Sequence, residues 1–173
     1  NPGWQIASGS NVGDCVQVIV RTDNARIRNG YCDKRNANAD GNVAKSCAIV
    51  GDPASGTSSE ISNIQCYLPL TGNAVFESKA ILASGPGARI MRNFISGGYY
   101  GIFAFGANSR VESNIVVDSE RESIAIPTTT PAGTTVVANN TVNRCRIGYI
   151  LKGVNSSTII QASNNVAANC SLY

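Results

Sequence analysis

The chain has 173 residues, 43% of them hydrophobic and only 14% charged, with a formal net charge of +3 and no histidine. It is long enough for one domain with its own core. It carries no apolar run near the ~20 residues of a membrane span, and its 14 basic residues form no block of the kind that marks nucleic-acid binding. The missing histidine excludes Ser-His and Cys-His catalysis and most zinc sites, so no metal site is expected. No basic start followed by an apolar stretch marks a signal peptide. A mature chain and a fragment of a longer one would both read this way, with residues 1–173 as a single domain.

Strand-like segments then come in pairs along the chain. The first pair is CVQVIV (15–20) and the segment around Ile27, closed by Asn29. CAIV (47–50) leads to Ile61 and Asn63, and AILA (80–83) to Ile90 and Asn93. GIFAF (101–105) leads to Val111 and Asn114, SIAI (123–126) to Val137 and Asn140, and GYIL (148–151) to Ile160 and Asn164. Successive asparagines are 34, 30, 21, 26 and 24 residues apart. Period-2 alternation, β-branched residues and Gly/Asn/Ser punctuation indicate strands, and no amphipathic helix is discernible. Paired strands recurring without crossover helices predict a solenoid in which each repeat is one coil, stacked ~4.8 Å above the last. Ile27, Ile61, Ile90, Val111, Val137 and Ile160 form its predicted inward column.

An asparagine at an inward corner, following a Gly-Ile-x-apolar strand, resembles the right-handed parallel β-helices of the pectin-lyase-like superfamily. The resemblance implies an all-β fold of about six coils, with Asn63, Asn93, Asn114, Asn140 and Asn164 in an amide ladder. Asn29, one residue nearer its anchor, fits less well. The superfamily's polygalacturonase signature needs Asp-Asp and Gly-His-Gly, which this chain lacks. Phage tailspikes are the more similar relatives. That likeness implies an extracellular, cell-surface or virion setting and a polysaccharide partner, without nucleic acid or membrane.

The six cysteines fall at equivalent places in neighbouring coils. Cys15 and Cys47 open strands, Cys32 and Cys66 each follow an asparagine by three residues, and Cys145 and Cys170 follow theirs by five and six. Equivalent corners of adjacent coils bring Cα atoms within the range a disulfide requires. At least one of the three pairs is expected to be bridged, which indicates an oxidising compartment.

Departures from the repeat are where function is sought. Segments 33–45 and 67–78 read as loops extruded from the first two coils. The segment VVDSERES (116–123) gathers Asp118, Glu120 and Glu122 around Arg121. Paired carboxylates suit glycosidic hydrolysis, and a carboxylate beside an arginine with Ca²⁺ suits β-elimination of an acidic sugar; a solvated turn of compensating charges suits the same letters. Arg26, Glu60, Arg89 and Arg110 each precede an inward anchor and form a surface column that would grip an acidic glycan. Inward Ile102 and Ala104 leave Phe103 and Phe105 outward beside Ile49, Leu82, Ala125 and Ile150. Such an apolar stripe suits a homotrimer contact, a covering segment or platforms for sugar rings. The expected function is polysaccharide binding, with cleavage by a hydrolase or lyase mechanism if the carboxylates converge. A non-catalytic structural or adhesin segment is the alternative.

Overall fold

The computed structural model describes residues 26–33, 59–68, 70, 79–83, 85–127, 132–152 and 157–172 in full, and the strand backbones of residues 4–7, 18–20 and 49–51. The strand β1 (Trp4–Ala7) comes first. Six triplets follow: β2 (Val18–Val20), β3 (Arg26–Arg28), β4 (Gly30–Asp33), then β5 (Ile49–Gly51), β6 (Glu60–Ser62), β7 (Gln65–Tyr67). The third and fourth triplets are β8 (Lys79–Ala83), β9 (Arg89–Met91), β10 (Phe94–Ser96) and β11 (Tyr100–Ala104), β12 (Arg110–Glu112), β13 (Ile115–Val117). The last two are β14 (Glu122–Ile126), β15 (Gly133–Ala138), β16 (Thr141–Asn143) and β17 (Ile147–Leu151), β18 (Thr158–Ser163), β19 (Val166–Ala168).

Each strand pairs with its equivalent in the next coil. This gives three parallel sheets: β1-β4-β7-β10-β13-β16-β19, β2-β5-β8-β11-β14-β17 and β3-β6-β9-β12-β15-β18. The chain is therefore the expected all-β parallel solenoid, and no helix occurs among the described residues. A coil holds three strands, one more than the paired reading allowed. The missed strand is the one immediately after the corner asparagine. It is mostly three residues long, with one inward side chain, too short to show alternation.

The core is a set of columns. In the third sheet Ile27, Ile61, Ile90, Val111 and Val137 stack in register, as predicted, but their partner in the last coil is Ala162. Ile160 instead pairs with Thr135, two residues away from the predicted column. The first sheet contributes Cys32, Cys66, Ile95, Val116, Val142 and Ala167. Ile81, Ile102 and Ile124 close the triangle from the second sheet. Those three isoleucines are fully buried. At ~1.5–3 kcal/mol per buried branched side chain, these columns are the main source of stability.

Two asparagine-rich columns, not one, lie at the corner between the third and first sheets. Asn29, Asn63, Arg92, Ser113, Asn139 and Asn164 occupy a left-handed turn with φ between 51° and 57°. Asparagine tolerates that region better than most residues. In this column Asn63 Nδ2 donates to Asn29 Oδ1 at 3.3 Å, while the next residue points inward and there the longer amide ladder forms: Asn93, Asn114, Asn140 and Asn165. Asn114 Nδ2 donates to Ile90 O (2.9 Å) and Asn140 Oδ1 (3.0 Å), while its Oδ1 accepts from Asn93 N (3.0 Å) and Nδ2 (2.9 Å). Asn63 and Asn164 are thus turn residues on the surface, and Ile64 takes the ladder position in the second coil. Its N–H donates to Asn93 Oδ1 at 3.0 Å, which starts the ladder.

Of the cysteines, Cys145 and Cys170 are bridged across the last two coils, with Cα atoms 4.6 Å apart. That bond clamps the last coil, where Ile159, Val166 and Leu172 remain exposed. Cys32 is also disulfide-bonded. Cys66 is its register neighbour, yet Cys66 is a buried thiol. The expected Cys32–Cys66 bridge does not form, because the Cys32 sulfur is already committed to another disulfide. Cys15 and Cys47 lie outside the described residues.

Candidate functional site

The corner from the first to the second sheet decides how the predicted carboxylates are arranged. Gly97, Asp118, Arg144 and Asn169 occupy equivalent positive-φ positions there, at 83°, 60°, 51° and 53°. One-coil stacking sets Arg144 on Asp118, and the guanidinium meets the carboxylate bidentately (Nε–Oδ1 2.6 Å, Nη2–Oδ2 2.9 Å). The bond from Arg144 holds the Asp118 carboxyl below the usual aspartate range. Asp118 is therefore a strut between coils. Beyond the corner, Glu120 is half-buried, and Glu122 opens β14 almost wholly buried. Arg121 Nε lies 3.1 Å from Glu122 Oε1, and Glu122 Oε2 is buried without a hydrogen-bond partner. The four residues that the sequence gathers are split by the turn: Asp118 is a strut, Glu120 is half-buried, and the buried Glu122 pairs with a half-exposed Arg121.

Arg121 is also the centre of an aromatic cluster that the sequence reading only half saw. Its Nη1 donates to the Tyr100 hydroxyl at 3.1 Å, and its guanidinium carbon lies 5.8 Å from both the Tyr99 and Tyr100 ring centres. The bond to Tyr99, then the Glu122 charge, keep this guanidinium more firmly protonated than usual. From there the rings continue in contact: Tyr99–Tyr100 at 4.7 Å, Tyr100–Phe103 at 4.6 Å, Phe103–Phe105 at 5.7 Å. Lys79 Nζ stands 5.0 Å from the Tyr100 ring and 5.6 Å from Phe103. Ile102 and Ala104 are core residues and Phe103 and Phe105 are half-exposed, as expected. The register neighbours of Phe103 are Leu82 and Ala125, continued by Val50 and Ile150; Ile49 belongs one residue over, beside Ile81. Tyr99 and Tyr100 were missed because their contacts with Arg121 are made one coil away.

The predicted column on the third sheet is present: Arg26, Glu60, Arg89 and Arg110 are register partners on successive strands. Glu60 is buried against Arg28, which donates from Nε (2.8 Å) and Nη2 (2.6 Å), and against the Ser62 hydroxyl (2.8 Å). Those bonds, Arg28 first, pull its carboxyl down to about 2. Arg110 is held by Glu112 at 2.7 Å. Arg26, Arg89 and Arg92 are exposed and make no ion pair among the described residues.

A further aromatic ladder crosses the outer face of the first sheet, where the unrecognised third strand of each coil lies. Tyr31, Tyr67 and Phe94 are half-exposed with ring centres 5.6 and 5.7 Å apart, and the Tyr31 hydroxyl donates to Asp33 Oδ2 at 3.0 Å. The loop segments 34–48 and 71–78 lie outside the described residues.

The family model described as "Periplasmic copper-binding protein (NosD)" matches residues 40–172, well over half of the chain. No curated protein and no solved structure matches it. Copper in proteins is held by imidazole, thiolate or thioether donors. This chain has no histidine and one methionine, Met91, and among its described cysteines Cys32, Cys145 and Cys170 are oxidised. No three His, Cys, Asp or Glu residues stand together among the described residues. The carboxylates of Glu60, Glu112 and Asp118 are each taken by a guanidinium at 2.6–2.7 Å. Among the described residues the donors do not fit copper. Nor do they suit the Ca²⁺ that a lyase would use, which needs several convergent oxygens.

Proposed function

The chain belongs to the NosD family, described as periplasmic copper-binding protein, and from that premise we propose that it is an extracytoplasmic β-helix that binds polysaccharide without cleaving it. The Cys145–Cys170 disulfide agrees with an oxidising compartment such as the periplasm. Nothing in the family description points to a virion, so the tailspike setting is set aside. The observation that carries the reading is the strip Tyr99–Tyr100–Phe103–Phe105 flanked by Lys79 and Arg121. The half-exposed rings of Phe103 and Phe105, backed by the buried Tyr99 and Tyr100, offer a flat apolar surface for the C–H face of a pyranose, and the two cations donate to hydroxyls at its edge. Cleavage needs one carboxyl that gives a proton and another that serves as base or nucleophile, ~5–9.5 Å apart. Asp118 is clamped by Arg144, and Glu122 is buried beside Arg121, so neither is presented to a sugar.

The test is calorimetric titration of the intact chain with a panel of linear polysaccharides, alongside assays for new reducing ends and unsaturated products. Phe103→Ala combined with Phe105→Ala should weaken binding at least about tenfold, the value of roughly one lost ring contact, with an unchanged melting curve. New reducing ends that vanish in Glu122→Gln would overturn the non-cleaving reading. Absence of binding to every member of the panel would overturn polysaccharide recognition itself.

A further inference from the structure

We propose that the outer face of the third sheet is a separate docking surface for an anionic linear polysaccharide, an inference that rests on the polysaccharide reading above and narrows its ligand. The face is built by β3, β6, β9 and β12 and the left-handed corner beside them. It carries Arg26, Arg28, Arg89, Arg92 and Arg110 against only Glu60 and Glu112. Five arginines and two glutamates leave this face with +3, against a formal net charge of +3 for the whole chain. Among the other described residues Lys79, Arg121, Arg144, Arg146 and Lys152 stand against Asp33, Asp118, Glu120 and Glu122 and nearly cancel.

The two glutamates are already satisfied. Glu60 is held by Arg28 and Glu112 by Arg110. That leaves Arg26, Arg89 and Arg92 exposed, with no ion pair among the described residues. Strand stacking fixes their spacing. Arg26 and Arg89 are two strands apart in one column, about 10 Å, and Arg110 continues that column one strand further at about 5 Å. A rigid row of cations at these intervals matches a polymer that carries sulfate or carboxylate groups along its length and lies parallel to the solenoid axis. Guanidinium is the side chain suited to bind such oxyanions in a fork.

Two features favour a glycan over a nucleic acid. Among the described residues the strands of this face hold no aromatic ring on which bases would stack. Its corner instead exposes the amides of Asn29, Asn63, Asn139 and Asn164, donors and acceptors suited to hydroxyl groups.

The experiment compares dextran with dextran sulfate, one backbone in neutral and anionic form, by titration of the intact chain at several salt concentrations. Dextran sulfate should bind at least about tenfold more tightly than dextran. The triple variant Arg26→Gln/Arg89→Gln/Arg92→Gln should lose about a hundredfold, at roughly fivefold per cation, and its affinity should depend less steeply on salt. Arg146→Gln/Lys152→Gln, which removes exposed cations elsewhere, should stay within about twofold, so that loss of overall charge is not mistaken for loss of the face. A triple variant that binds like the parent, or a control that loses as much, overturns the proposal. So does an equal loss in Phe103→Ala/Phe105→Ala, which would put the polyanion on the aromatic strip. Tighter binding of duplex DNA or of anionic lipid vesicles would overturn the choice of occupant. If neutral polysaccharides bind and dextran sulfate does not, the basic face fails while polysaccharide recognition stands; if nothing binds, both fail.

Discussion

The amide ladder makes the sharpest quantitative prediction. Asn114 is fully buried in the middle of the stack, and its carboxamide satisfies groups from the coils on both sides. Asn114→Ala strips the partner from Ile90 O, from the Asn93 backbone N–H and from one Asn93 Nδ2 hydrogen, none of which water can reach without opening the corner. At ~1–1.5 kcal/mol for each orphaned group the substitution costs about 3–5 kcal/mol. A domain has only about 5–15 kcal/mol to lose, so the melting temperature should fall by about 10 °C. Asn165→Ala is the internal control. Asn165 makes the same three kinds of bond, to Val137 O, Asn140 N and Asn140 Nδ2, but is half-buried in the last coil. Water can replace its partners there, and the cost should be nearer 1 kcal/mol. Asn114→Asp keeps the shape but turns an acceptor toward Ile90 O and Asn140 Oδ1, and should do no better than alanine. Urea unfolding followed by far-ultraviolet circular dichroism measures all three. An Asn114→Ala loss under 1 kcal/mol, or equal losses at Asn114 and Asn165, would refute the account of the ladder as the brace of the buried corner.

The other expectations concern charge, redox state and metal. Glu60 has a folded pKa of about 2 against 4.5 for the free side chain; its contribution is complete above pH 4.5 and disappears as pH falls toward 2. Urea midpoints between pH 5 and 2 should therefore drop less steeply in Glu60→Gln than in the parent, and parallel curves would contradict this. Reduction of Cys145–Cys170 should cost about 3 kcal/mol for its 25-residue separation. Faster amide exchange should appear in β17–β19 first, and uniform acceleration throughout the stack would show that the bond is no local clamp. Equilibrium dialysis against Cu(II), or Cu(I) under reducing conditions, should leave less than about one-tenth of an equivalent bound in competition with a micromolar chelator, given the absent donor set. A stoichiometric copper complex would contradict that reading of the side chains.

The fold was legible because stacking writes itself into sequence: Ile90, Val111 and Val137 each stand three residues before a ladder asparagine. The pattern misled where two columns prefer the same residue for different reasons. Asn63 and Asn164 satisfy a left-handed turn and Asn165 the amide ladder, and only a constant spacing of three from the anchor separates them. In the last coil that anchor is Ala162, too small to stand out beside Ile160. The arginine column was visible because register within a sheet is a sequence property. The Asp118–Arg144 strut was not, since it requires knowing that residues 26 apart share one corner. Likewise the meeting of Arg121 with Tyr99 and Tyr100 depends on how the chain turns between sheets, which short strands do not encode.

A solenoid divides its positions more cleanly than most folds. An inward side chain must match the residues above and below it, so the columns of isoleucine, valine and asparagine are bound by one another. An outward side chain answers only to solvent, to its lateral neighbours and to whatever binds. Membership of a family can accordingly fix the coils while leaving the ligand to the surface. Among the described residues three carboxylates that would otherwise lower the local potential for a metal cation are neutralised: Glu60 by Arg28, Glu112 by Arg110 and Asp118 by Arg144. Arginines on the third sheet remain in excess by the full net charge of the chain. Coulomb attraction then favours anions over cations along that face, whichever ion other members hold. A copper-named frame carrying an anion-seeking surface is thus physically consistent, because the two properties reside on opposite sides of the same strands.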